Sequence, residues 1–342
     1  MSRVCLGTMM MGTTTSVTEA EVLLDHAIEL GINFVDTAEI YPIPVRPGLA
    51  GRTDRLLGDW MHRRRNRDSI VLSAKVAGAP NNQAIMGRYA SLSYVRDGDV
   101  GLSRATIRAA VEDMLTRLRT DHLDLLQPHW PDRQTNAMKE LGFREPSRSD
   151  GSPIEETLTT MGELVEEGKV RAIGVSNETA WGVSEYLRGA RRGAGPRIST
   201  IQNSYNLLSR SYETALSEFS AREGVGLLAY CPLGMGTLTG KYLDNRAPVR
   251  GRLTRHPHPR YTGGQAVRAT ARYLDIAARH GIGPAVLAHA FVAHRPFVTA
   301  TIVGASEPGH IDQALAAAEA PLGQELLAEI ERVHAEIPNP AP

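Results

Sequence analysis

The chain has 342 residues, of which 42% are hydrophobic and 22% charged, an ordinary composition for a soluble globular protein and enough for one large α/β barrel or two medium domains. The formal net charge is zero, which argues against a nucleic-acid or anionic-membrane partner; no apolar stretch reaches 18 residues, and neither a signal peptide nor a membrane span is expected. Cys5 and Cys231 lie in or beside apolar runs with no CxxC or Cys/His ligand spacing, so no metal site is expected and a reduced, cytoplasmic compartment fits best.

Short apolar runs rich in β-branched residues alternate along the chain with segments whose apolar residues recur at helical spacing. The first run is 4–7, and Met9–Met11 after it is expected to overhang a pocket. A helical pattern over 19–30 ends at Gly31, and a second run follows at 33–36. The cations Arg63, Arg64, Arg65 and Arg67 read as a helix C-terminus facing the negative end of its dipole. A third run at 70–75 leads through a long loop to a helix over 103–118 that Ser103 would cap. Then come a fourth run at 123–127, a helix over 154–167 closed by Gly168, a fifth run at 172–175 and a sixth at 200–202. A helix over 212–223, a seventh run at 226–230, a helix over 265–280 and an eighth run at 301–304 follow. A last helix at 323–337 precedes a short tail at 338–342.

Eight such runs alternating with helices predict parallel βαβ units closed into a (β/α)8 TIM barrel, ahead of a doubly wound sheet. No boundary divides the chain, so residues 1–342 are expected to form a single domain. The Gly-, Pro-, Arg- and Asn-rich stretches 42–51, 77–101, 131–152 and 244–264 all follow a strand. In a barrel they are long βα loops on the C-terminal face, where binding and chemistry reside.

The distinctive polar residues fall at the ends of these runs. Asp36 ends the second, with Tyr41 five residues on; Lys75 ends the third; His129 follows the fourth; Ser176 and Asn177 follow the fifth; Gln202 ends the sixth; Tyr230 and Cys231 end the seventh; Gly304 and Ser306 end the eighth. A barrel brings all of them to one rim. A phenol with a pKa of about 10 is a reluctant acid at neutral pH. A neighbouring ammonium stabilises its phenolate, and a carboxylate keeps that ammonium charged in a semi-buried site. Asp36, Tyr41, Lys75 and His129 can therefore hand a proton to a carbonyl oxygen and meet the alkoxide charge that develops there. They supply no hydride, and a nicotinamide would complete the reaction. No G-x-G-x-x-G follows the first strand, but Gly234, Gly236 and Gly240 follow the seventh, where barrel phosphate sites recur, and Lys241 adds charge. Arg250 and Arg252 could reach the phosphates. Met10, Trp130 and Tyr89 are candidates for the substrate pocket, whereas His280, His289 and His294 lie on helical patterns and read as structural or exposed.

The segments DTAEIYP, SAK and QPHWPDR, which carry Asp36, Tyr41, Lys75 and His129, match the tetrad of the aldo-keto reductase family position by position. The stretches IGVSNETAWGV, IQNSYNLLSRS and LLAYCPLGMGTLTGKY resemble its Tas-like branch, and the resemblance runs from Gly7 to about Leu315. It implies an NADP(H)-dependent oxidoreductase that reduces an aldehyde or ketone to an alcohol reversibly, taking the pro-R hydride from nicotinamide and the proton from Tyr41. It implies that Ser176, Asn177 and Gln202 hold the carboxamide and that Tyr230 stacks on the nicotinamide. Thr8, Met9, Asp36, Cys231, Pro232, Leu233, Gly234, Gly236, Lys241, Arg250, Arg252, Gly304, Ser306 and His310 would line the rest of the cofactor. NADPH is expected over NADH, which stays open because His310, Gln313 and Ala314 depart from the family's adenosine-end pattern and Glu307 opposes a 2′-phosphate. The first strand starts almost at Met1, so the family's N-terminal hairpin plug is expected to be absent, with the floor covered by the C-terminal helix or a partner. Potassium-channel β subunits, a neighbouring branch, carry asparagine where this chain has His129. Two further readings stand beside the reductase: a regulatory subunit that binds NADP(H), similar to those β subunits, and a redox-neutral lyase or isomerase using Tyr41 as base. The expected partner is a small-molecule carbonyl or alcohol; its identity and the oligomeric state are left open.

Overall fold

Eight parallel strands close on themselves. They are β1 (Val4–Gly7), β2 (Phe34–Asp36), β3 (Val71–Val76), β4 (Leu123–Pro128), β5 (Val170–Ser176), β6 (Thr200–Ser204), β7 (Gly226–Tyr230) and β8 (Val298–Val303). Each pairs with the next, and β8 returns to β1 with Thr301 opposite Val4. This is the predicted TIM barrel. The computed structural model describes residues 1–80, 92–135, 141–143, 145, 151–243 and 247–342.

The helices on the outside are α1 (Val17–Glu29), α2 (Arg52–Arg64), α3 (Arg104–Leu118), α4 (Ile154–Glu166), α5 (Ala180–Arg191), α6 (Leu216–Glu223), α7 (Gly264–Arg279), α8 (Pro284–Ala293), α9 (Pro308–Glu319) and α10 (Gln324–Glu336). Local chemistry sets their ends. Ser16 closes a capping box on α1: its hydroxyl accepts from the Glu19 N–H while the Glu19 carboxylate accepts from the Ser16 N–H. Ser103 caps α3 as expected, accepting from the Thr106 N–H. The cationic run does end a helix, with Arg63 and Arg64 in the last turn of α2. The pattern expected over 212–223 is divided into a 3₁₀ turn at Ser211–Glu213 and the shorter α6. Helix α8 carries no amphipathic signal because Leu287–Ala293 is buried all round.

Successive strand residues point to opposite faces. Leu6, Val35, Leu72, Leu126, Ile173, Ile201, Leu227 and Val303 face outward beneath the helices. Cys5, Phe34, Leu125, Leu228, Ala300 and Ile302 face inward and fill the barrel. Above this apolar layer, towards the strands' C-terminal ends, lies a buried polar one of Asp36, Ser73, Lys75, Gln127 and Gln202. The eighth strand starts at Val298, before the expected run, and Ala300 contributes to the interior packing.

Among the described residues no hairpin closes the floor. Its interior is plugged by Phe34 and its neighbours, and its edge is tied by Asp124, which pairs with Arg67 at 2.9 Å and Arg171 at 2.8 Å. Helix α10 does not cover it. That helix climbs the side of the barrel antiparallel to α7, joined to it by Arg279–Glu329 and by Arg272–Glu336 at 2.7 Å. The tail then reaches the upper rim, where the Ala341 N–H donates to Leu208 O at 2.9 Å and the Arg210 N–H to Asn339 Oδ1 at 2.7 Å.

Candidate active site

Strand register brings Asp36, Tyr41, Lys75 and His129 together. Asp36 ends β2 and is 2% exposed; Lys75, on the neighbouring β3, is fully buried. Lys75 Nζ donates to Asp36 Oδ2 at 2.5 Å and lies 5.2 Å from the centre of the Tyr41 ring. The His129 ring meets Tyr41 edge-on, with ring centres 5.7 Å apart. Burial, followed by the Lys75 charge, holds the His129 imidazole well below its ordinary pKa, so the ring is neutral at pH 7. Its buried Nδ1 has no hydrogen-bond partner among the described residues. Backbone bonds fix its position: the His129 N–H donates to Val76 O at 2.7 Å, and Asn177 Nδ2 donates to His129 O at 2.8 Å.

A second set of side chains holds Asp36 from within the barrel. Its Oδ1 accepts from Ser73 Oγ at 3.0 Å and from Gln202 Nε2 at 2.9 Å, and Gln127 Nε2 donates to Ser73 Oγ at 2.9 Å. The carboxylate therefore takes charge-assisted bonds from β3 on one side and β6 on the other. Sequence reasoning missed Ser73 and Gln127. The signal available was alternation: Ser73 and Lys75 are two apart on one strand and so face the same way. Thr8, at the end of β1, donates through Oγ1 to Asp36 O at 2.8 Å and braces the carboxylate's own backbone.

The residues expected around a nicotinamide also meet at this rim. Ser176 Oγ donates to Gln202 O at 2.9 Å, and the Tyr230 hydroxyl donates to Asn177 Oδ1 at 2.6 Å. Asn177 holds φ +52°, a left-handed conformation that asparagine tolerates better than most residues. Both ends of its amide are engaged. Gln202 commits Nε2 to Asp36, which leaves Oε1 as its acceptor towards a ligand. After β7 the chain turns through Cys231, Gly234, Met235, Gly236 and Gly240, all at positive φ, with Pro232 and Leu233 between. The N–H groups of Gly234, Gly236, Leu238 and Gly240 close the turn on Cys231 O, Leu233 O and Thr237 O, so the charge it offers an anion comes chiefly from Lys241. A Cβ on Gly236 would lie 2.8 Å from Lys241 Cε, so glycine is what lets Lys241 fold back over this turn.

The adenosine end is looser. Burial lowers the pKa of Lys241, opposed by the charge of Glu307. Glu307 itself pairs with His310 at 3.3 Å, and His310 Nδ1 lies 3.4 Å from the Ser306 N–H and hydroxyl. Gly304 and Ser306 are at the surface. Arg252 opens a short helical turn, Arg252–Arg255, and Arg250 is exposed just before it. His256 has its pKa lowered by burial and then by Arg252, Arg46 and Arg255, which marks a cationic rim joining the loops after β2 and β7.

On the substrate side, Trp130 is buried, with its ring centre 4.8 Å from that of His129, and it packs in one cluster with Tyr41, Ile43 and Val45, against which Met9 also lies. Met10 is half-buried, while Met11 belongs to the main core. Tyr89 lies outside the described residues. His289 is buried, as a structural histidine should be. A surface depression lined by Arg67, Glu112, Thr116, Arg119 and Lys169 contains none of these groups.

The comparison with known proteins points the same way. The model of the aldo/keto reductase family matches residues 3–335. Protein tas of Escherichia coli is 43% identical over 338 residues, covering 98% of this chain and 95% of that protein. Norsolorinic acid reductase B of Aspergillus parasiticus is 29% identical over 319 residues, covering 91% and 75% respectively. A probable voltage-gated potassium channel subunit beta of Oryza sativa is 29% identical over 310 residues, covering 88% and 82%. With nearly its whole length matched, and with a closed eight-stranded barrel carrying an acid, a phenol, an ammonium and an imidazole at one rim, the chain belongs to the aldo/keto reductase family.

Proposed function

We propose that the chain acts, as one barrel, as an NADP(H)-dependent reductase of an aldehyde or ketone, with Tyr41 as proton donor. The observation that carries this reading is the buried ammonium of Lys75, paired with Asp36 at 2.5 Å and 5.2 Å from the centre of the Tyr41 ring. An ammonium in that position favours the phenolate and so makes the phenol a competent acid. Asp36, held by Ser73 and Gln202, keeps the ammonium in place. Neutral His129 can donate a hydrogen bond to the substrate oxygen without competing for the proton. The carbonyl oxygen then sits between Tyr41 and His129, where negative charge would grow as the carbon is reduced.

A nicotinamide supplies the hydride when bound. The residues present fit one: Gln202 Oε1 and Ser176 Oγ would hold the carboxamide, Tyr230, braced by Asn177, would be the stacking surface, and Lys241 beside the positive-φ turn over 231–240 would meet phosphate. Lys241, Ser306 and Arg250 or Arg252 support NADPH over NADH, against Glu307. A cytoplasmic setting belongs to the same proposal, on the sequence grounds above.

The test is to mix the protein with NADPH and a panel of aldehydes and ketones and to follow nicotinamide absorbance together with the alcohol product. Carbonyl-dependent oxidation of NADPH is the expected result. Tight NADPH binding with no turnover would favour a regulatory subunit, and failure to bind nicotinamide would favour a redox-neutral barrel enzyme.

A further inference from the structure

Three residues beyond His129 stands Asp132, which is 4% exposed. Its Oδ1 accepts from the Ala79 N–H at 2.6 Å, and its Oδ2 accepts from the Leu102 N–H at 2.8 Å and the Ser152 N–H at 3.2 Å. Ala79 lies where the long stretch after β3 begins, and Leu102 where it ends. Ser152 is the end of the long stretch after β4. One carboxylate thus fastens both stretches at their bases, and all three bonds are of the charge-assisted kind.

Glycines make this approach possible. A Cβ on Gly151 would lie 2.7 Å from Asp132 Cβ, and one on Gly78 would lie 2.4 Å from Trp130 O. Gly101 holds φ +138° beside Asp132. The knot includes the pocket wall, because Trp130 Nε1 donates to Ala79 O at 3.0 Å. A second buried carboxylate, Glu39, accepts from the Ala77 N–H at 2.6 Å and from Arg96 Nε at 3.0 Å, securing the first stretch on its other side.

We infer that Asp132 is a positioning residue of the carbonyl site: it sets the wall formed by Trp130 and the bases of both loops flanking it, and thereby governs substrate binding. The inference rests on the reductase reading. The tetrad touches this knot through Trp130, but its polar anchors lie outside it. His129 is held by Val76 O and by Asn177, and Lys75 by Asp36. Removing the carboxylate strands the buried Leu102 N–H, frees the half-buried Ala79 and Ser152 N–H groups and loosens the wall, while the proton donor and its polar partners stay in place. Interactions lost equally from ground and transition states appear in KM rather than in kcat.

The experiment compares wild type with Asp132→Asn, which keeps one acceptor oxygen, and Asp132→Ala. It measures kcat and KM for a bulky aromatic aldehyde and a small aliphatic one, NADPH dissociation constants, and amide hydrogen exchange. For Asp132→Asn the expected result is a KM for the bulky aldehyde raised about tenfold, kcat within about threefold and an NADPH constant within about twofold. Exchange at Ala79, Leu102 and Ser152 should quicken, while the amides of β3 stay protected. Unchanged KM values, or parallel losses in kcat and NADPH affinity, would overturn the inference. Should Asp132→Ala fail to fold, Asp132→Asn decides alone. If wild type binds NADPH but reduces no carbonyl, the reductase reading falls and takes this inference with it; if wild type reduces carbonyls and Asp132→Asn matches it, only the inference falls.

Discussion

Replacing Lys75 by methionine strikes at the ion pair beneath the proton donor. The Lys75 side chain is fully buried and that of Asp36 is 3% exposed, so the variant strands a carboxylate away from water. Breaking a buried pair from one side costs about 3–5 kcal/mol. The lower figure applies here, because Asp36 Oδ1 keeps its bonds from Ser73 and Gln202. With an unfolding entropy of roughly 2.1 cal/mol/K per residue over this chain length, about 3 kcal/mol corresponds to a fall of about 4 °C in Tm. Adding Asp36→Asn removes the stranded charge, and at least half of that loss should return. Turnover behaves differently. Without the ammonium the phenol is a poorer acid, so both the single and the double variant should lose roughly 10²-fold or more in kcat. The basic limb of the pH–rate profile of the single variant should move upward, because the phenolate has lost its cation. Calorimetry and NADPH-coupled assays across pH measure all of this. A Lys75→Met protein that melts with wild type would show that breaking the pair does not strain the fold, and a double variant with wild-type turnover would show that the pair does not serve the chemistry.

Tyr41→Phe should keep NADPH binding and lose about 10²–10⁴-fold in carbonyl reduction, since only the hydroxyl is removed; unchanged turnover would take Tyr41 out of the mechanism. Fluorescence titrations should show NADPH binding more tightly than NADH by one to two decades for each charge-assisted contact to the extra phosphate, and Lys241→Met should erode that preference while leaving NADH alone. Equal constants for the two nucleotides would mean that the phosphate is not read. His289 is held to a pKa of about 4, first by burial and then by the charge of His310. Its folded pKa lies below its unfolded one, so the unfolded chain takes up the proton first and stability falls as pH drops through the window between them. Between pH 7 and pH 5 this group should cost about 2 kcal/mol, and His289→Leu should remove that share of the acid loss in denaturant melts; parallel acid limbs for the two proteins would refute it.

The strands were readable because a buried parallel strand is a nearly unbroken apolar run that stops where its C-terminal end turns polar. The expected bounds of β1 and β7 coincide with those observed, and the polar stops are the residues that meet at the rim. What escaped was whatever depends on register. Ser73 and Gln127 are unremarkable in a strand until Asp36 pairs with Ser73 and Lys75 with Gln127. Asp132 binds backbone N–H groups from distant loops, and backbone donors leave no mark in a sequence. Gln202, assigned to the carboxamide alone, spends its amide nitrogen on Asp36, a partner 166 positions away. The floor was opaque for a similar reason: its closure comes from interior side chains and the Arg67–Asp124–Arg171 cluster rather than from a separate element.

The route of the last residues has a practical side. Met1 stands exposed at the floor, at the entry to β1, whereas the segment around Ala341 is knitted into the upper rim beside Leu208 and accepts at its carbonyl from Arg260 Nε at 3.0 Å. The two ends of the described chain therefore point away from each other along the barrel axis. A protein tethered to a bead or an electrode through its first residues would present its catalytic mouth to the solution. The same tether attached after residue 342 would pull on the loop that follows β6 and turn that mouth towards the support.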